Sequence, residues 1–331
     1  MKRTTIHKCL SGLLMITLAQ LHSQNMEGVT GVRDSSYNTA SAFSNDIKKY
    51  PEIRIATEFG LKSVETTMNI TYCHFGDRKL LLDVFKNVQG RSAPHTAIII
   101  IHGGGWRTGN RAQHYPLAQR LADLGYVCIT PEYRLSTEAL FPAAVYDLKA
   151  VIRWVRKHVS EYNIHPDRIV TLGFSAGGEL AAFMGTTGNM PLFEGSRCTV
   201  EVASHVNALI DIDGTLSFVH PDSGEGDDRN GTSAATYWFG YSKKENPLLW
   251  ETASPLGFAG PATPPALFIN SSVDRMHAGR EDYTNLLAEN NIYSEVREFK
   301  DAPHSFCLYH PWFEPTLTYI DNFLKKVFEV N

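Results

Sequence analysis

The sequence predicts an α/β fold with a mostly parallel central sheet and helices on both faces. Three observations carry that prediction. Apolar runs of strand length alternate with segments of helical spacing from about residue 95 onward, the rhythm of parallel strands joined by crossover helices. The run "TAIIII", ending at Ile101, is apolar at successive positions, which suits a strand buried on both faces. With 331 residues, 43% of them apolar and 20% charged, the chain suits one large domain or two smaller ones, with a full core.

The N-terminus "MKRTTIHKCLSGLLMITLAQLHSQ" reads as a secretory signal peptide over residues 1–23. Lys2, Arg3 and Lys8 form its basic start, and the apolar stretch at 9–19 is too short for a permanent bilayer span. Cleavage after Ser23 predicts a secreted or periplasmic protein with no membrane span. Cys9 opens the apolar stretch rather than following it, so it does not fit a lipid-attachment site. The net charge of −4, without a basic block, argues against nucleic acid as a partner. Cys73, Cys128, Cys198 and Cys307 show no metal-ligand spacing, and no metal or organic cofactor is expected. Cys128 lies in "YVCIT", the pattern of a buried strand; the others fit either a disulfide, in an oxidising compartment, or free or buried thiols.

Residues 24–66 are polar and mixed and read as a tail and lead-in; residues 67–331 form the α/β domain. "MNITYCHF" and "KLLLDVFK" predict an antiparallel strand pair, followed by the "TAIIII" strand. A helix near 112–124 leads to the strand "YVCITPEY", and "FPAAVYDLKAVIRWVRKHV" has helical spacing. "RIVTLGFS" is the next strand, with a helix from Ala176. "VNALIDIDGT", "PALFINSSVD" and "SEVREFKDAPH" predict three more strands, with a helix near 279–290 between the last two. "TLTYIDNFLKKVF" closes the chain as an amphipathic helix. Residues 214–258 break the rhythm with the Gly- and Asp-rich "HPDSGEGDDRNGTS", which fits a mobile lid or a solvated loop.

The chemistry is carried by four short stretches. "GFSAG" sets Ser175 between Gly173 and Gly177, after a strand and before a helix: the pattern of a nucleophile elbow. The helix would aim its first N–H groups and positive dipole end at the site. "HGGGW" (102–106) follows the buried strand and exposes backbone N–H groups, so Gly104, Gly105 and Ala176 are the expected oxyanion donors. His102 is expected to be structural, and the "WRTGNR" that follows lacks the residues of a phosphate loop. Asp274, just beyond the strand "ALFIN", is the expected acid, with Glu281 and Asp282 as rivals. His304 in "DAPHSF" is the expected base, with His277 and His310 as rivals. Trp106 and Trp312 are the expected substrate-binding aromatics; Trp238 and Tyr309 are further sugar-stacking candidates, though each fits a core position as well.

From about residue 68 to 328 the chain resembles the α/β-hydrolase superfamily. It is most similar to the esterase branch with an HGGG oxyanion motif, related to hormone-sensitive lipase and small acetyl esterases. "HGGGW", "PEYRL", "FPAAVYDLKAVIRWVRKH", "GFSAGGELAA" and "PHSF" carry the resemblance, and Ser175, Asp274, His304 follow its chain order. Phe174 departs from the Asp common before the nucleophile in that branch. The late segment, through "HAGRED" and "PHSFCLYHPWF", resembles secreted bacterial esterases of acetylated plant polysaccharides such as xylan and pectin. The resemblance implies a serine carboxylester hydrolase acting on acetylated carbohydrate or small esters. Pectin methylesterase, feruloyl esterase, serine peptidase and a non-catalytic binding module are the alternatives.

Overall fold

In the computed structural model, which describes residues 24–89, 93–198 and 201–328, the strand His95–Ile101 is buried along nearly its whole length. Its pleat sends Ile98 and Ile100 into one apolar cluster and Ala97, Ile99 and Ile101 into another. A period of two imposes that split, and it is why the isoleucines run without polar interruption. The signal-peptide reading falls outside the described residues.

The elements run α1 (Thr39–Asp46), β1 (Arg54–Ile55), β2 (Val64–Phe75), β3 (Arg78–Asn87) and β4 (His95–Ile101). Next come α2 (Tyr115–Asp123), β5 (Val127–Pro131), α3 (Ala143–Lys157), β6 (Ile164–Phe174), α4 (Ala176–Thr186) and β7 (Ala208–Ile212). The chain continues through α5 (Ala234–Phe239), α6 (Pro247–Thr252), β8 (Ala266–Asn270), α7 (Arg280–Glu289) and β9 (Ser294–Glu298), and ends with β10 (Tyr309–His310) and α8 (Phe313–Phe328). Eight strands form the main sheet in the order β2-β3-β5-β4-β6-β7-β8-β9. The β2–β3 and β3–β5 pairs are antiparallel; every pair from β5–β4 onward is parallel. This is the α/β-hydrolase fold. One apolar cluster holds the buried faces of α3 and α4, and the other those of α2 and α8, so both sheet faces are covered. The C-terminal ends of the central strands β4, β6 and β7 open onto the same edge, where open parallel sheets place their ligands.

Two regions carry more structure than their composition suggests. Residues 24–66 are polar, yet Ala42, Ile53 and Ala56 are buried and β1 pairs with β10. Asp34 bridges to Thr108 beside the glycine turn, and Arg33 pairs with Glu132 at 2.6 Å. Residues 214–258 are not a solvated loop. They contain α5 and α6, and Leu216, Phe218, Trp238, Phe239 and Trp250 are all fully buried. The Gly- and Asp-rich stretch is the outer surface of a lobe with an aromatic floor.

Cys73 on β2 is bonded to Cys198 across 125 residues of chain, and their Cα atoms lie 5.6 Å apart. Cys128 and Cys307 are buried free thiols. The bridge ties the antiparallel edge of the sheet to the loop after α4, and closing so long a loop restricts the unfolded chain. Replacing Cys73 with Ser is expected to cost about 2–4 kcal/mol of unfolding free energy. Guanidinium unfolding of the oxidised protein with and without the substitution checks this, and equal midpoints would show that the bridge adds nothing.

Candidate active site

The link between β6 and α4 is a turn of one residue. Ser175 has φ +56° and ψ −122°, a conformation that side chains rarely adopt, and it immediately precedes α4. Its N–H donates to Ile212 O on the neighbouring strand at 2.8 Å, and its C=O accepts from Gly178 N at 2.8 Å. So sharp a turn drives the backbones together. A Cβ at Gly173 would run into the backbone of Gly177, and one at Gly177 into the carbonyls of Ile101 and His102. The two glycines flanking the serine are therefore steric requirements.

His304 lies between Ser175 and a carboxylate. Its Nε2 accepts from Ser175 Oγ at 2.8 Å, and its Nδ1–H donates to an aspartate oxygen at 3.0 Å. That aspartate is Asp213, which corrects the expectation of Asp274. Asp274 is exposed at the start of a 3-10 helix, Asp274–His277, beyond β8. The same helix brings His277 Nε2 to 3.5 Å from Asp213 Oδ1, so this loop contributes a second imidazole instead of the acid. Of the rivals, Asp282 faces His220 at 3.5 Å, and His310 lies in β10.

Asp213 follows directly on β7 with φ +51° and has no exposed surface. Ser271 N–H donates to its Oδ1 at 2.7 Å. Burial pushes its carboxyl up, but the nearby His277 imidazole and the hydrogen bonds from His304 and Ser271 outweigh that and hold it at about 2. It is therefore an anion throughout the neutral range. Two neighbouring carboxyls behave oppositely. Burial holds Glu179 and Asp211 well above the usual carboxylate range. Among the described residues, the Asp211 carboxyl accepts the Gly214 N–H at 2.7 Å, and Glu179 accepts from Trp106 Nε1 at 2.9 Å.

The "HGGGW" turn leaves β4 beside this cluster. Burial pushes His102 down to about 3, so it is neutral; its Nδ1 meets Gly103 O at 2.9 Å and its ring stacks on Tyr133. Gly104 O accepts from Thr108 N at 3.0 Å, and Gly103 N–H donates to Gln113 at 2.8 Å, which fixes the turn. Among the described residues, the N–H groups of Gly104, Gly105 and Ala176 donate to no protein acceptor. Gly105 and Ala176 line the cleft that holds Ser175 and His304; Gly104 sits one residue behind.

That cleft has a volume of about 310 Å³. Trp106 forms one wall, with its ring stacked 4.9 Å from Trp238 and its φ at +56°. Thr215, Glu225, Ser233 and Ala234 come from the 214–258 lobe, and Arg275 and Met276 from the helix after β8. Trp312 is not part of it. It packs edge-on against Tyr50 in the cluster under α8, which corrects its expected role in substrate binding. Tyr309 is buried in that same cluster, and Trp238 backs Trp106 without reaching the cleft. A larger cavity, about 560 Å³, lies away from Ser175 around Phe75, Arg134 and Arg197.

Comparison with known proteins fixes the lineage of this arrangement. The BD-FAE family profile matches residues 82–280, from β3 to the start of α7. The chain belongs to the BD-FAE family. Esterase LipQ of Mycobacterium tuberculosis is 30% identical over 210 residues, which cover 61% of this chain and 47% of LipQ. The probable carboxylic ester hydrolase LipM of the same organism is 39% identical over 128 residues, 38% of this chain and 30% of LipM. The chain thus spans less than half the length of these curated relatives. A truncated carbohydrate esterase from gut microbiota superposes with a TM-score of 0.67 at 23% identity, covering 81% of this chain and 99% of that one. Esterase 2 of Thermogutta terrifontis, in its apo form, gives 0.66 at 23% identity, covering 82% and 98%. These matches place the chain in the HGGG-type esterase branch of the α/β-hydrolases.

In this BD-FAE member, Glu179 carries a testable linkage. Its carboxyl is held above its unfolded value, so the folded state keeps a proton that the unfolded chain releases. Stability from this group is full below about pH 4.5 and is lost as pH rises toward the folded value. Glu179→Gln removes that loss. Its stability relative to wild type should rise with pH, by up to about 1.4 kcal/mol per pH unit. Denaturant unfolding at pH 5, 6.5 and 8 measures it; a difference that stays flat or falls with pH would contradict a protonated Glu179.

Proposed function

We propose that this chain is a secreted serine carboxylester hydrolase that removes small acyl groups, acetyl foremost, from plant polysaccharides such as xylan or pectin. One observation carries the enzyme reading. Ser175 Oγ, His304 and Asp213 form a continuous hydrogen-bonded relay at the wall of a cleft that also presents unpaired backbone N–H groups.

The chemistry follows from that geometry. His304 Nε2 takes the Ser175 proton as Oγ attacks the ester carbonyl. The anionic Asp213 fixes the Nδ1–H tautomer and stabilises the imidazolium. The N–H groups of Gly105 and Ala176, with Gly104 behind them, face the developing oxyanion. His304 then returns the proton to the leaving alcohol, and the acyl group stays on Ser175. A water molecule, deprotonated by His304, attacks that acyl-enzyme; the acid leaves and Ser175 regains its proton.

The substrate reading has separate support. Trp106 is pinned by Glu179 and by Trp238, so it forms a stiff wall in a cleft of modest volume. The name of one structural neighbour, a carbohydrate esterase from gut microbiota, points the same way. The Cys73–Cys198 bridge fits an oxidising compartment and so fits secretion through the expected N-terminal signal.

Two experiments test this. Ser175→Ala and Asp213→Asn should each lower kcat for p-nitrophenyl acetate by about a thousandfold or more, while Asp274→Asn stays within about threefold. A large loss in Asp274→Asn with a mild one in Asp213→Asn would reverse the assignment of the acid. Second, kcat/KM should fall from p-nitrophenyl acetate through butyrate to octanoate. An open apolar pocket would instead gain about 0.8 kcal/mol per added buried CH₂. Acetate should be released from acetylated xylan or pectin; methanol from pectin or ferulate from feruloylated xylan would mark the sister activities instead.

A further inference from the structure

Most of the cleft around Ser175 is small or apolar, and one charged pair interrupts it. Glu225 and Arg275 both line it, with Arg275 Nη1 3.5 Å from Glu225 Oε1. The Glu225 side chain is only 15% exposed, whereas Arg275 is 55% exposed. Glu225 stands between Gly224, which packs on Arg275, and Gly226, which packs on the Trp250 ring. The lobe's aromatic floor therefore fixes its position. Burial holds its carboxyl above the usual carboxylate range, and Arg275, His304 and Lys243 offset that only in part.

The ion pair is too long to satisfy the carboxylate. Among the described residues, Glu225 Oε2 accepts no hydrogen bond, and Oε1 has only the Arg275 contact. Glu225 lines the cleft, so its free oxygen is open to a donor that enters there. An acetyl group offers it nothing, since a methyl and a carbonyl have no proton to donate. Hydroxyl groups do, and adjacent hydroxyls match the two acceptor oxygens, while the guanidinium can donate to a ring or hydroxyl oxygen.

We propose that Glu225, with Arg275 beside it, is the specificity-determining acceptor for hydroxyl groups on the alcohol half of the ester, so that the enzyme favours esters of polyhydroxylated alcohols such as sugars. This rests on the reading of Ser175 as an ester-cleaving nucleophile and deepens its substrate half. Ser175 attacks the acyl carbonyl; the alcohol oxygen leaves toward His304, on the side where Glu225 stands. The acyl half is judged by Trp106 and the alcohol half by Glu225.

The test uses the purified full chain and two substrate pairs. The first pair is a monoacetylated methyl xyloside against p-nitrophenyl acetate; the second is glyceryl monoacetate against ethyl acetate, which differ in hydroxyl groups on the alcohol. Glu225→Gln keeps the shape but weakens the acceptor, and Glu225→Leu removes it. The ratio of kcat/KM within each pair should fall by about ten- to a hundredfold in Glu225→Leu and by less in Glu225→Gln. Residual p-nitrophenyl acetate turnover confirms that each variant is folded. Unchanged ratios in both pairs overturn the inference. The polysaccharide reading fails separately, if wild type releases no acetate from acetylated xylan or pectin. In that case the glyceryl-to-ethyl ratio still decides the role of Glu225.

Discussion

The whole site hangs on one sharp turn. Ser175 can hold its left-handed conformation only because the backbones around it are packed tightly enough to leave no alternative. Its N–H is tied to Ile212 O, the last residue of β7, and its C=O receives the first turn of α4. The same contacts that force the serine upward also clamp β6 to β7 and press α4 onto β4. Asp213 begins one residue beyond Ile212, so the acid's position is set by the strand that holds the nucleophile's amide. Only His304 arrives from a separate loop, and its ring is trapped by contact with Phe174 as well as by its two hydrogen bonds. Phe174, the departure from the branch's common Asp, thus packs against the imidazole.

Electrostatics then divide the labour among carboxylates that the fold brings close together. Glu179, Asp211 and Asp213 are all buried, and burial pushes each carboxyl up. Asp213 stays charged because two imidazoles and an amide point at it. Among the described residues, Asp211 and Glu179 receive one donor each, so burial keeps their carboxyls raised, and they serve as struts, one for the Gly214 turn and one for the Trp106 ring. Of these three, the carboxylate held low is the one that faces His304, where a transient imidazolium needs a partner.

The sequence reveals the sheet well, because buried parallel strands must be apolar throughout and helices must show a stripe. It reveals Ser175, the glycine turn and His304 for a similar reason: close backbone approach leaves a glycine signature, and chain order limits the histidine. The acid was harder. Asp213 and Asp274 both stand at the end of an apolar strand, and nothing in residue type separates them. The signal that favours Asp213 is its place in "DIDGT", immediately after the strand, where an aspartate tolerates positive φ and a glycine completes the turn. Asp274 lies four residues past Asn270, far enough for a helical turn to carry it to the surface. Trp312 failed for a different reason. Although Trp312 is only eight residues past His304, β10 and α8 carry it into the cluster with Tyr50 and out of the cleft.

The 214–258 lobe joins these threads. Its composition reads as loop because the polar residues are consecutive in "HPDSGEGDDRNGTS", while the aromatic residues that anchor it are scattered at 218, 238, 239 and 250. No periodicity links them, since they come from different short elements and meet only in three dimensions. Phe218 and Trp238 brace Trp106 at one wall of the cleft, and Trp250 carries Gly226 and with it Glu225 at another. A single aromatic floor thus sets both halves of the cleft. Loosening that floor would be felt first as a change in which esters are accepted and only afterwards as a loss of the Ser175–His304–Asp213 relay, whose contacts come from the sheet and not from the lobe.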